Sequence, residues 1–189
     1  MSYIIKFFLC GILCSFLFPP FFLFPLGFFI FPYLYFILND KIIHKKNKFK
    51  QFIFGLSFGL GFNIIVLYWV KEPFAFYSTT KNYSLFSLLL IFYISIYFGF
   101  IFIIIGFFKN DFSKIIIIPV VFVVAEIFRE SFIYGFPWIT FAVIASGNYY
   151  LLQLVYFTGT YGLSFVLVFL FLTPVSIFML KNKGKEFFP

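Results

Sequence analysis

The chain has 189 residues, of which 63% are apolar and only 11% charged, and its mean hydropathy is +1.09. A soluble domain carries about 25% charged and about 45–50% apolar residues, so a soluble globular enzyme is excluded, and intrinsic disorder fails on the same numbers. The net charge of +8 does not signal a nucleic-acid partner, because the Lys residues sit in short clusters between apolar runs, where orientation in a membrane explains them. What remains is an all-α fold, a polytopic membrane bundle. At about 20 apolar residues per span the chain has room for about six transmembrane helices. The 38 Phe residues lie inside the apolar runs and reflect an A/T-rich coding bias rather than a stacking surface.

Residues 7–38 form an uncharged apolar stretch too long for one helix across a hydrocarbon core of about 30 Å. Pro19-Pro20 near its middle removes a backbone donor and clashes with the preceding turn. The pattern therefore predicts two helices, 3–18 and 21–38, the second kinked or shortened by Pro25 and Pro32. No small-residue cleavage site follows Lys6, so the start is not read as a signal peptide. Cys10 and Cys14, spaced i,i+4 on the first helix and each preceded by Leu, read as packing residues. Residues 39–50 carry five Lys and His44, the only His. A solvated loop histidine with no acidic cluster supports neither His-based catalysis nor a metal site.

A third span is expected over 52–70. Its Gly55-x-x-x-Gly59 and Ser57-x-x-x-Gly61 place small residues on adjacent faces, where helices approach closely in lipid. Asn63 is polar inside this span and needs a partner, and Tyr68-Trp69 close it at the interface. A polar loop at 71–82 precedes a fourth span at 83–107, and Lys109–Lys114 forms the next loop. The fifth span, 115–130, contains Glu126, Arg129 and Glu130, followed by the breaker-rich Tyr134-Gly-Phe-Pro-Trp138. Residues 141–150 suit an interfacial or re-entrant piece. The sixth span covers 154–179, which closes the bundle at 180, and 181–189 is a basic tail where truncation is expected.

With both termini cytoplasmic, Lys6, the five Lys of 39–50, Lys109, Lys114 and Lys181, Lys183 and Lys185 all lie inside. That is eleven of the fourteen basic residues, against Lys71, Lys81 and Arg129 outside. The positive-inside rule favours this topology over its inverse. It puts Trp69, Pro73, Arg129 and Trp138 at the outer face.

Glu126, Arg129 and Glu130 share a helix face by their i,i+3 and i,i+4 spacing. Ionisable residues in a span usually pair and face the protein interior. Two readings stand: a structural ion pair near the outer interface, or a polar lining for a substrate headgroup. Neither makes Glu126 a catalyst, since no reacting partner is visible from sequence. Polar residues are too sparse in mid-span for a transporter or channel.

The segment Ala125-Glu-Ile-Phe-Arg-Glu-Ser-Phe-Ile-Tyr-Gly-Phe-Pro-Trp138 resembles the A-E-x-x-R and G-F-P-W signature of apolipoprotein N-acyltransferases. Phe18–Leu26, Gly55–Phe62 with Leu67–Val70, and Leu151–Phe165 agree with the same family in order and spacing. The resemblance implies a bacterial inner-membrane, multi-pass protein needing no cofactor. Its bundle would seat a nitrilase-type domain whose Cys nucleophile works with Glu and Lys. The acyl group would pass from a membrane phospholipid to that Cys as a thioester, then to the α-amino group of the diacylglyceryl-Cys at a lipoprotein N-terminus. The sequence ends before the nitrilase-type part, and Cys10 and Cys14 lie in the first apolar helix, so no catalytic residue carries over. Glu126, Arg129, Gly135, Phe136, Pro137 and Trp138 carry over as a lipid-facing or structural part of the site, with Tyr68 and Trp69 beside them. The expectation is a membrane portion that is inactive alone and works with a separate or continuing nitrilase-type domain. The alternative is a non-catalytic membrane module that lost it.

Overall fold

The computed structural model describes residues 3–40, 47–76, 81–108, 111–132 and 138–186. Among the described residues there is no strand. Among these residues six long helices carry the fold: α1 (Tyr3–Ser15), α2 (Gly27–Leu38), α3 (Lys48–Val66), α4 (Phe86–Ile105), α5 (Asp111–Phe132) and α6 (Leu154–Glu186). Short 3-10 and single-turn pieces join them. Among the described residues three helices are both long and apolar enough to cross a membrane: α3, α4 and the Leu154–Met179 part of α6. α1 and α2 are apolar but reach only about 20 Å at 1.5 Å per residue. α5 is long enough, but Asp111 and Lys114 at one end and Glu126, Arg129 and Glu130 at the other charge it too heavily to qualify.

The long apolar stretch breaks as its prolines require. α1 ends at Ser15, whose hydroxyl donates to the Ile12 carbonyl at 2.6 Å. The chain then folds back, closed by the Leu23 N–H on the Phe16 carbonyl at 2.9 Å. Pro25 sits in the 3-10 turn Phe24–Leu26, and α2 starts only at Gly27, later than the expected 21. At the other boundary Asn47 caps α3 by accepting from the Lys50 N–H at 3.0 Å.

The helices sort into two groups of three. α3 lies between α1 and α4, and α6 lies against α2 and α5. Small residues explain the first group. A Cβ on Gly55 would collide with the Phe98 carbonyl of α4, and one on Gly61 with the Phe8 carbonyl of α1. The two small-residue pairs of α3 thus serve opposite neighbours. Side-chain hydrogen bonds reinforce both contacts: Ser57 Oγ donates to the Ile4 carbonyl at 2.8 Å, and Asn63 Nδ2 to Ser95 Oγ at 3.0 Å. In the second group Gly27 lets α2 close onto the Phe171 ring of α6, and the Tyr35 hydroxyl reaches Met179 Sδ at 3.5 Å.

The two ends of the bundle differ. At one end Tyr3 donates to Asp40 Oδ2 at 2.6 Å, and Lys114 bonds Asn39. Lys114, read from sequence as a loop residue, is 0% exposed in the first turn of α5. The other end collects the 16–23 turn, the 68–76 segment and residues 138–152. There α6 is interrupted at Gly159, whose φ of 68° and ψ of 175° only glycine adopts without strain.

Candidate functional site

α5 presents Glu126 and Arg129 from its last two turns, and its position between α4 and α6 encloses them. Both are 5% exposed, whereas Glu130 is exposed. Tyr97 of α4 and Glu130 complete the charged and polar surroundings of the Arg129 guanidinium alongside Glu126.

Beyond α5 the chain re-enters the bundle as the 3-10 helix Phe141–Gly147, preceded by Thr140. The leading N–H groups of a helix have no partner inside it, and in an apolar interior each unsatisfied group costs several kcal/mol. Side chains of two neighbouring helices supply the acceptors here. The Phe141 N–H donates to Glu126 Oε1 at 2.7 Å, and the Ala142 N–H to Ser164 Oγ of α6 at 2.9 Å. Phe141 is buried among four rings. Phe18 lies 5.6 Å away, Phe31 5.8 Å, Phe62 6.2 Å and Phe122 5.3 Å between centroids. Among the described residues Glu126 Oε2 makes no hydrogen bond.

A cavity of about 10 Å³ adjoins Tyr97, Glu126, Arg129 and Phe141. That is room for about one water, not for a lipid headgroup. Among the described residues, larger spaces include open apolar grooves on the perimeter of about 290 Å³ between α4 and α5, about 350 Å³ between α1 and α3 and about 460 Å³ between α1 and α2. Cys10 and Cys14 are free and buried on α1, Cys10 at the wall of the α1–α2 groove.

Trp138 emerges from the re-entrant segment and packs on Trp69, with ring centroids 5.2 Å apart and planes tilted by 34°. Tyr68 is exposed beside them, with the Lys71 ammonium 3.8 Å from its ring centroid. This is the same end at which Glu126 and Arg129 lie. The structure therefore gathers Glu126, Arg129, Tyr68, Trp69 and Trp138 at one end, the first two inside and the others at the surface. Gly135, Phe136 and Pro137 lie outside the described residues. The sequence reading did not single out Ser164 or Phe141. Ser164 is one polar residue in an apolar helix and gave a weak signal, and Phe141 is indistinguishable by composition from the other phenylalanines.

Residues 10–172 match the family model described as the apolipoprotein N-acyltransferase N-terminal domain. The chain belongs to this family. It is 29% identical over 179 residues to an apolipoprotein N-acyltransferase of Rickettsia prowazekii (strain Madrid E), covering 92% of this chain and 34% of the relative. It is also 29% identical over 177 residues to one of Rickettsia typhi (strain ATCC VR-144 / Wilmington), covering 90% and 34%. The chain thus spans about a third of the length of these relatives. The part matched to the apolipoprotein N-acyltransferase domain includes both the clustered end and the two acceptors, Glu126 and Ser164, that hold the re-entrant helix.

Proposed function

We propose that the chain is the membrane portion of an apolipoprotein N-acyltransferase. It takes part in moving an acyl group from a membrane phospholipid to the N-terminal diacylglyceryl-Cys of a lipoprotein. The match of residues 10–172 to that family's N-terminal domain carries the reading. The placement of the thiols adds to it. Both Cys residues are buried in the first helix, with no charged group of a catalytic set among the residues described around them. The nucleophile then comes from a nitrilase-type domain, as the resemblance implies, and this chain supplies the bundle on which it acts.

In this reading all six helices cross the inner membrane, both termini are cytoplasmic, and the Trp69–Trp138 end faces outward. The basic residues support that orientation. Glu126 and Arg129 serve the bundle from within, and the aromatic residues meet lipid and the catalytic part.

The test uses the purified chain in phospholipid vesicles with a diacylglyceryl-Cys peptide. One reaction holds the chain alone. A second adds the separately produced remaining part of the Rickettsia prowazekii relative. Triacylated peptide is expected only in the second. Product from the chain alone would place a nucleophile here and overturn the division of labour. Co-purification of the two parts without product would favour a non-catalytic membrane module.

A further inference from the structure

We propose that Glu126 and Ser164 form a positioning clamp. By holding the first two N–H groups of the 141–147 helix, they fix Trp138 against Trp69. The two hydrogen bonds are buried, come from different helices and seize consecutive amides. A slip of the segment by one residue would take at least one of these amides from its acceptor in an apolar interior and would lift Phe141 from its ring cluster. The clamp therefore sets the register of the whole re-entrant segment.

Trp138 stands three residues ahead of Phe141, and the intervening Ile139 and Thr140 are each 3% exposed. The lever from clamp to indole is thus short and enclosed. The indoles themselves are not enclosed, since Trp69 is 46% and Trp138 57% exposed. Burial alone does not fix their stacking, and the backbone behind Trp138 is held by the clamp. A carboxylate suits the post because it only accepts hydrogen bonds and does so strongly from backbone N–H. The hydroxyl of Ser164 accepts from Ala142 while keeping its own proton to donate. Glu126 is in this sense a positioning residue for the aromatic pair. The inference rests on the acyltransferase reading only in treating that pair as part of a working face.

The chain has two Trp residues, so exciton circular dichroism of coupled indoles reads this pair alone. The purified full chain in detergent is measured without substrate, with Trp138→Phe as the uncoupled reference and far-UV dichroism to report helix content. Glu126→Gln keeps an acceptor oxygen for Phe141 and is expected to retain the coupled signal. Glu126→Leu and Ser164→Ala are each expected to lose most of it while helix content stays. A coupled signal that survives in Ser164→Ala and in folded Glu126→Leu overturns the clamp. So does its loss in Glu126→Gln, which would make charge rather than acceptor capacity decisive. If Glu126→Leu does not fold, Glu126→Gln and Ser164→Ala decide between these outcomes. A signal that follows the acceptor while reconstituted acyl transfer is absent in every sample leaves the clamp standing and removes the functional reading instead.

Discussion

Arg129 and Glu126 are both buried and within electrostatic reach of each other, and we propose that they act as a charged pair with unequal second duties. Removing one member of a buried charged pair costs about 3–5 kcal/mol, while replacing both with apolar residues is often near neutral. Here Glu126 also takes the Phe141 N–H. Arg129→Leu is therefore expected to destabilise by about 3–5 kcal/mol. The double variant Glu126→Leu/Arg129→Leu should recover only part of that, because an orphaned buried amide still costs about 1–3 kcal/mol. Unfolding of the variants in detergent measures both, and an Arg129→Leu protein as stable as the wild type would mean that the two charges do not act as a pair. Ser95 offers a milder case. Its hydroxyl accepts from Asn63 Nδ2 and donates to the Ile91 carbonyl. Polar contacts of this kind between membrane helices average about 0.6 kcal/mol with a maximum near 1.7. Ser95→Ala should fall in that range by the same measurement.

Among the helices, α3 has both of its neighbours set by what it lacks. Gly55 and Gly61 face carbonyl oxygens of α4 and α1 with no space for a methyl group. The obstacle is backbone, which cannot rotate aside. Gly61→Val is thus expected at or above the upper end of the about 1–3 kcal/mol typical of overpacking, seen as a lowered unfolding temperature. Gly159→Ala meets no neighbour within 4 Å, yet its backbone conformation should cost it about 1–3 kcal/mol.

These two glycines also mark where sequence reading succeeds and where it stops. Small residues four apart on an apolar helix say what they are for, because close approach is what such spacing permits. Asn63 announced the need for a partner, and Ser95 is that partner. Pro19-Pro20 announced a break, since proline acts through its own covalent geometry. Gly159 sits in an apolar run that reads as one uninterrupted span, and nothing local marks it as the glycine with positive φ among the described residues. Lys114 was misplaced for a related reason: a lysine beside a polar loop looks solvated until Asn39, far away in sequence, is seen beside it. The candidate site followed the same rule. The charged and indole residues stand out by type, but the residues that hold them, Ser164 and Phe141, are ordinary until folding makes them neighbours.

For the whole molecule the first question is its direction in the membrane. The six crossings with both termini inside that we propose rest on the distribution of lysines rather than on helix lengths, so labelling is the fitting check. In a Cys-free background, a Cys at Ser78 should react with an impermeant reagent added from outside. A Cys at Lys46 or Lys183 should react only after permeabilisation. Outside labelling at either lysine position, or none at Ser78, refutes the topology.

The pairing of the helices has a consequence for how such a molecule is made. α1, α3 and α4 are companions close in sequence, so their group can assemble as soon as α4 leaves the ribosome. α2 is different. Its main companion is α6, whose first residue lies more than a hundred positions downstream of the end of α2. During synthesis α2 must wait with the Phe31 and Tyr35 side chains without their α6 partners, Phe171 and Met179. In water that exposure would invite aggregation. In a bilayer the waiting face meets hydrocarbon tails as apolar as the Phe171 ring that later replaces them. The order of the helices along the chain is thus one that lipid tolerates and water would not. Chains halted before residue 154 should still hold α2 in the membrane, and protease protection of such arrested chains would report it.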